Sequence, residues 1–223
     1  MMEIDAMTSL RLTCLLLVLP GALAAQDPGL PADWVSRLDG EQRLVTTGDV
    51  SAGSWSWVTM PPGWHVTTTE QGVSLFPRDR TLDGRWGVEA ELFLFKDPSD
   101  APFGLVLEAA DAPAGTMELR FLLRRDGTAG LVARHGGVDT TVVAWRGSPD
   151  VAAHPGDEIV KYVLRVTHEG GALAFAVNGH EMFQLPTGGE DHPAVPGLRL
   201  GAGLNVHVSR FELIEPLAPP RAR

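Results

Sequence analysis

The 223-residue chain has a formal charge of −10, with 28 Asp and Glu against 18 Lys and Arg dispersed along its length. A dispersed acidic surface excludes nucleic acid and argues against peripheral binding to anionic membranes, because both recruit clustered Lys and Arg. The single cysteine, Cys14, excludes an intrachain disulfide, and its place near the N-terminus, within the predicted leader, takes any thiolate metal site out of the mature chain.

Met1–Ala25 carries an apolar run, Leu12–Leu19, between Arg11 and Pro20-Gly21, and then the small-residue site Ala22-Leu23-Ala24-Ala25. This layout predicts a secretory signal peptide at residues 1–25 and an exported, periplasmic or extracellular protein. The run is too short to span a bilayer, which takes about 20 residues. Glu3 and Asp5 sit where such leaders are basic, and Met7 offers an alternative start. Cleavage removes Cys14, two acidic residues and one basic residue, taking the charge from −10 to −9. The remaining chain must be held by its core alone, and its length suffices for that in one domain.

Residues 26–45 read as a lead-in with Asp27-Pro28-Gly29 and a single helical turn predicted at Ala32–Leu38. Residues 46–215 read as one β-sandwich domain, and 216–223 as a disordered tail with three prolines. Arg43–Ser51 is a short strand candidate. Ser54-Trp55-Ser56-Trp57-Val58 places both indoles on one face of a strand. Extended segments follow at Trp64–Thr69 and Gly72–Phe76, and a polar loop at Pro77–Gly84.

In Trp86–Phe95, Val88, Ala90, Leu92 and Leu94 point one way and Glu89, Glu91, Phe93 and Phe95 the other. Strands are predicted at Phe103–Ala109, Met117–Arg125, Ala129–His135 and Thr140–Trp145, separated by turns that include Asp126-Gly127 and Gly136-Gly137. Lys161–Leu185 is a meander. Tyr162–His168 and Leu173–Asn178 are joined through Glu169-Gly170-Gly171, and Asn178-Gly179-His180 leads into Glu181–Leu185. In Gly197–Ile214 the apolar positions step from Leu204, Val206 and Val208 to Phe211 and Leu213, which predicts a β-bulge near Ser209–Arg210. About a dozen strands with no amphipathic helix give an all-β fold, a two-sheet antiparallel β-sandwich or jelly roll.

The strand, Gly-Gly turn and Val177-Asn178-Gly179 resemble the late hairpin of concanavalin A-like lectin/glucanase sandwiches. Gly197-Leu198-Arg199-Leu200-Gly201 followed by Leu204–Phe211 is similar to their closing strands. Within that superfamily the chain most resembles exported bacterial 3-keto-disaccharide hydrolase-like domains and uncharacterised secreted relatives, over roughly Trp55–Glu215. Pro61-Pro62-Gly63-Trp64-His65 and Val73–Pro77 look like the early strands of the uncharacterised group. The resemblance implies a concanavalin A-like sandwich; fold alone does not confer activity.

Three carboxylates are catalytic candidates: Glu89 and Glu91, which share a strand face, and Glu118. A retaining glycosidase needs two carboxyl groups about 5–5.5 Å apart, whereas Cα atoms two residues apart on a strand are separated by about 7 Å. The laminarinase-type Glu-x-Asp-x-x-Glu or Glu-x-Asp-x-Glu pattern breaks at Phe93 and Leu94. Ligand-binding candidates are Trp57, Trp64 and Trp145 as stacking platforms, with His65, Arg120, Asn205 and His207 as polar partners. His65, His207, Arg120 and Glu118 are expected on one concave face. No cofactor is expected; Asp97 and Asp100 are the candidates should Ca²⁺ bind. The leading reading is an exported non-catalytic carbohydrate- or ligand-binding module. The alternatives are a glycoside or keto-sugar hydrolase using strand-face carboxylates, and a structural or adhesion domain that meets another protein.

Overall fold

Alternation of apolar and polar residues sorts the chain into strands whose inward side chains need a second sheet to cover them. In the computed structural model, residues 33–39, 55–96, 99–149, 151, 153, 158–188 and 193–215 are described. The leader, most of the lead-in, the strand expected at Arg43–Ser51, Asp97 and the tail lie outside them. The strands are β1 (Trp34–Leu38), β2 (Trp55–Thr59), β3 (Trp64–Thr68), β4 (Val73–Pro77), β5 (Trp86–Leu94), β6 (Phe103–Ala109) and β7 (Met117–Leu123). They continue with β8 (Thr128–His135), β9 (Val138–Gly147), β10 (Val160–Glu169), β11 (Ala172–Val177), β12 (His180–Pro186), β13 (Ala194–Leu200) and β14 (Asn205–Ile214).

Two seven-stranded antiparallel sheets result. The first runs β1-β4-β13-β6-β7-β8-β9 and the second β12-β11-β10-β5-β14-β3-β2. The architecture is an all-β jelly-roll sandwich. At the middle of the second sheet, Val88, Ala90, Leu92 and Leu94 of β5 are fully buried against Phe103, Leu105, Phe121 and Leu198 of the first. Each of the Val, Leu and Phe side chains among them stabilises the fold by about 1.5–3 kcal/mol relative to leaving it exposed.

The β14 bulge falls at Ser209, where the register with β5 jumps between Val208 and Arg210. The extra residue returns Phe211 and Leu213 to the core side after Val206 and Val208. The β10–β11 hairpin turns through Gly170 and Gly171 at φ 62° and 78°. Both central residues of this tight turn adopt the left-handed region that glycine enters without steric cost.

The helical turn expected at Ala32–Leu38 is instead strand β1, paired with β4 from Trp34↔Pro77 to Leu38↔Val73. Its Trp34 ring lies 4.9 Å from Trp64 and 5.2 Å from Phe211. These contacts tie the edge of the first sheet to the second, and that tertiary packing outweighs the weak local preference for a turn.

The outer face of the first sheet curves inward. Arg37 on β1 lies 3.0 Å from Glu118 on β7, although four strand spacings of a flat sheet would put those strands about 19 Å apart. Concavity makes the face a shallow trough with polar residues at its bottom.

Candidate functional site

Strand register assembles the concave face. Glu108 on β6 is opposite Glu118 on β7, which is opposite Arg134 on β8, which is opposite Asp139 on β9. Two residues along, on the same face, Val106 is opposite Arg120 and Arg120 opposite Val132. Alternation projects Glu108, Glu118, Arg120, Arg134 and Asp139 outward together.

The charges form a continuous chain. Arg37 pairs with Glu108 and, at 3.0 Å, with Glu118. Arg120 Nη2 lies 2.6 Å from Glu118 Oε2 and its Nε donates to the same oxygen at 2.7 Å. Arg120 continues to Asp139 at 3.5 Å, and Asp139 to Arg134 at 3.2 Å. Gly115 N–H, in the β6–β7 loop, donates to Glu108. The Glu118 side chain is only 1 % exposed, whereas that of Asp139 is 48 % exposed. Solvent access therefore grows from β7 toward β9. At the other flank the Arg37 guanidinium lies 4.9 Å over the Phe76 ring, within a small buried patch of Val35, Phe76 and Val106.

Trp145 stands at the open end of this face. A Cβ added at Gly130 would lie 3.1 Å from its ring, so the indole rests over β8 because position 130 has no side chain. Arg124 places its guanidinium 3.7 Å over the same ring, a cation–π contact. At the end where β6 and β7 are joined, the face runs into a cleft of about 540 Å³ between the sheet ends. Glu108, Glu118 and Arg134 line the face and the cleft alike.

The remaining candidates lie elsewhere. His65 and His207 face each other across β3 and β14, on the outer face of the second sheet, with ring centroids 6.3 Å apart. They are thus on the opposite side of the sandwich from Glu118 and Arg120, and the single patch expected of the four does not exist. Alternation tells which side of its own sheet a residue takes, but not which sheet its strand joins. Burial pushes the His207 imidazole below its ordinary value; the Pro62 carbonyl opposes this and His65 adds to it. Asn205 lies opposite Thr67 on the same pair of strands.

Glu89 and Glu91 also occupy this opposite face, each already paired. Glu89 meets Arg210 at 2.5 Å and Arg165 at 3.7 Å. Glu91 accepts from the Ser209 hydroxyl at 2.8 Å and meets Lys161 at 3.3 Å. The Ser209 bond, against a partial desolvation and with help from Lys161, holds the Glu91 carboxyl below the usual range. A general acid needs the reverse shift.

Trp57, 3 % exposed, packs 4.9 Å from Trp64 and 5.9 Å from Trp34, and it belongs to the core. Trp64 packs against the same cluster. Trp57 therefore presents no free face for stacking, and Trp64, partly buried, is packed against Trp34 and Trp57, because β2 and β3 turn both inward. Asp100 is exposed, and among the described residues no three His, Cys, Asp or Glu side chains converge on one point.

Sequence reasoning missed Arg37, Glu108 and Arg134. Glu108 and Arg134 sit at outward positions of predicted strands, so their alternation is visible. Their convergence with Glu118 depends on strand order.

No family model matches the chain, and no curated protein sequence matches it. Solved structures do. The carbohydrate-binding module CBM66 from Bacillus subtilis superposes with a TM-score of 0.54 at 11% identity, over 73% of this chain and 96% of that one. A Bacillus subtilis protein of unknown function with a galectin-like fold gives 0.54 at 14% identity, over 82% and 89%. The endo-β-1,3-glucanase from Pyrococcus furiosus gives 0.56 at 8% identity, over 83% and 89%. The fold is the concanavalin A-like jelly roll. Binding modules and enzymes share it, so the choice between those activities rests on the residues of this chain.

Proposed function

We propose that this protein is an exported, non-catalytic carbohydrate-binding domain that holds its ligand on the concave face of the first sheet. One observation carries the reading: the carboxylates of that face are bonded to arginines or to a backbone N–H, beside a Trp held at the open end. Ion-paired Asp139 and Arg134 are the solvent-accessible acceptor and donor for sugar hydroxyls, held in place by the buried Glu118 and Arg120, and Trp145 supplies an aromatic edge for the apolar face of a ring. Both oxygens of Glu118 and Oε2 of Glu108 are already committed to guanidinium groups, so the geometry suits orientation rather than proton transfer. Export is proposed on the leader pattern of residues 1–25.

The test is calorimetric titration of the purified protein with a panel of neutral and acidic oligosaccharides, with chromatography of the same mixtures afterward. Binding without consumption, weakened at least tenfold by Trp145→Ala, is expected. Consumption of a sugar, abolished by Glu118→Gln, would overturn the non-catalytic reading. Absence of binding to every sugar would leave association with another protein as the alternative to pursue.

A further inference from the structure

Most of the concave face is tightly closed by its own ion pairs, but the cleft at its β6–β7 end is not. Two kinds of wall meet there. Inward-facing Trp86, Leu107, Leu119 and Leu173, with Met117 and Pro193, make an apolar lining where the two sheets diverge. Glu108, Glu118 and Arg134 make a polar rim that is also part of the ion-pair chain described above. The walls are fixed. Trp86 is 1 % exposed, and the buried His168 beside it holds Nδ1 at 2.6 Å from the Gly84 carbonyl and Nε2 at 3.4 Å from the Thr187 hydroxyl.

A volume of about 540 Å³ falls in the range of small-molecule sites, roughly 300–1,000 Å³. Sugars have too many hydroxyls for such a lining, and water gains nothing from it. A hydrocarbon chain or an aryl ring gains about fourfold in affinity for every methylene it buries. Charge narrows the choice further. Asp111 joins Glu108 and Glu118 at the rim, while Arg134 is already paired with Asp139. Glu108 and Glu118 are themselves paired with Arg37 and Arg120, so Asp111 is the rim charge outside the ion-pair chain. A free fatty acid would bring its carboxylate against that like charge, whereas a neutral glycoside would not.

We infer that this cleft is a subsite for an uncharged apolar group attached to the sugar, so that the ligand is an amphipathic glycoconjugate. The inference rests on the carbohydrate-binding reading for its sugar half, because Glu108, Glu118 and Arg134 are shared by the two sites. A sugar seated on the ion-pair chain places its substituent between the sheet ends.

The experiment measures binding of the fluorescent apolar probe N-phenyl-1-naphthylamine to the full protein, and its displacement by octyl β-glucoside, methyl β-glucoside, octanol and octanoate. Displacement by octyl glucoside at concentrations at least tenfold below methyl glucoside and octanoate is expected. Two variants address the cleft. Ala133→Phe fills it from β8, and Met117→Glu adds charge at a rim side chain that is 44 % exposed. Each should weaken the probe at least tenfold, and Met117→Glu, lying outside the core, should do so with an unchanged melting temperature.

No probe binding, or binding that neither variant weakens, overturns the subsite. Equal displacement by octanol and octyl glucoside, with Trp145→Ala without effect, supports the apolar subsite and removes the carbohydrate reading of the concave face. Co-sedimentation with phosphatidylcholine vesicles carrying a neutral glycosylceramide distinguishes the source of the ligand. Capture there assigns a lipid-anchored glycan, and displacement in solution alone assigns a free glycoside; both support the subsite.

Discussion

The two outer faces of the sandwich carry the same vocabulary and use it differently. Each sets carboxylates beside arginines at alternating strand positions: Glu108, Glu118, Arg120 and Arg134 on the first sheet, Glu89, Glu91, Arg165 and Arg210 on the second. On the first sheet, curvature draws Arg37 across four strand spacings and leaves Glu118 and Arg120 almost without solvent. On the second, Arg210 and Arg165 remain over 40 % exposed. A guanidinium–carboxylate pair in water contributes little, while a buried one becomes costly to break. The difference between a solvated strand face and a candidate site is therefore made by sheet shape rather than by residue type.

That comparison is tested most severely by cutting one arginine on each face. Arg37→Met should cost about 3–5 kcal/mol in denaturant unfolding, because it strands Glu108 and Glu118 beside a truncated partner. Filling the space under Trp145 comes next. Gly130→Val should cost about 1–3 kcal/mol through overpacking and should weaken ligand binding by displacing the indole. Arg210→Met, on the opposite face, should change stability by no more than about 1 kcal/mol.

The smallest effect is a pH slope. His207 is held below its ordinary value of 6.5, so the unfolded chain binds the proton more readily than the folded one. Its contribution to stability is present above pH 6.5 and is lost as the pH falls through the folded value. Melting temperatures recorded from pH 7.5 downward should decline through this window, and His207→Phe should flatten that decline. An equal decline in the variant would assign it to other groups.

Much of the fold is legible in the sequence because strand periodicity is a local property. The Ser209 bulge follows from a one-residue step in the apolar pattern, and the Gly170-Gly171 turn from two glycines between alternating runs. Strand β1 was not legible: Trp34-Val35-Ser36-Arg37-Leu38 is buried on both faces, so it lacks alternation and resembles a helical turn.

The site was legible only in fragments. Glu118, Arg120 and Trp145 stand out as polar or aromatic residues on strands. The Asp126-Gly127 and Gly136-Gly137 turns make β7, β8 and β9 local neighbours, but nothing local shows that they lie in the concave sheet while β5 and β14 are in the other. For that reason alternation alone groups His65 and His207 with Arg120, although the full thickness of the core separates them. Trp57 and Trp64 show the same limit, since an indole on a strand face reads alike whether the face meets solvent or another sheet.

The central claim is that function resides on the concave face and not on its counterpart. The most direct measurement is the affinity of one oligosaccharide ligand for the parent protein, for Trp145→Ala and for His65→Ala. The account expects affinity to fall at least tenfold in Trp145→Ala and to stay within twofold in His65→Ala. Loss of affinity in His65→Ala with Trp145→Ala unaffected would contradict it and place the site on the opposite sheet.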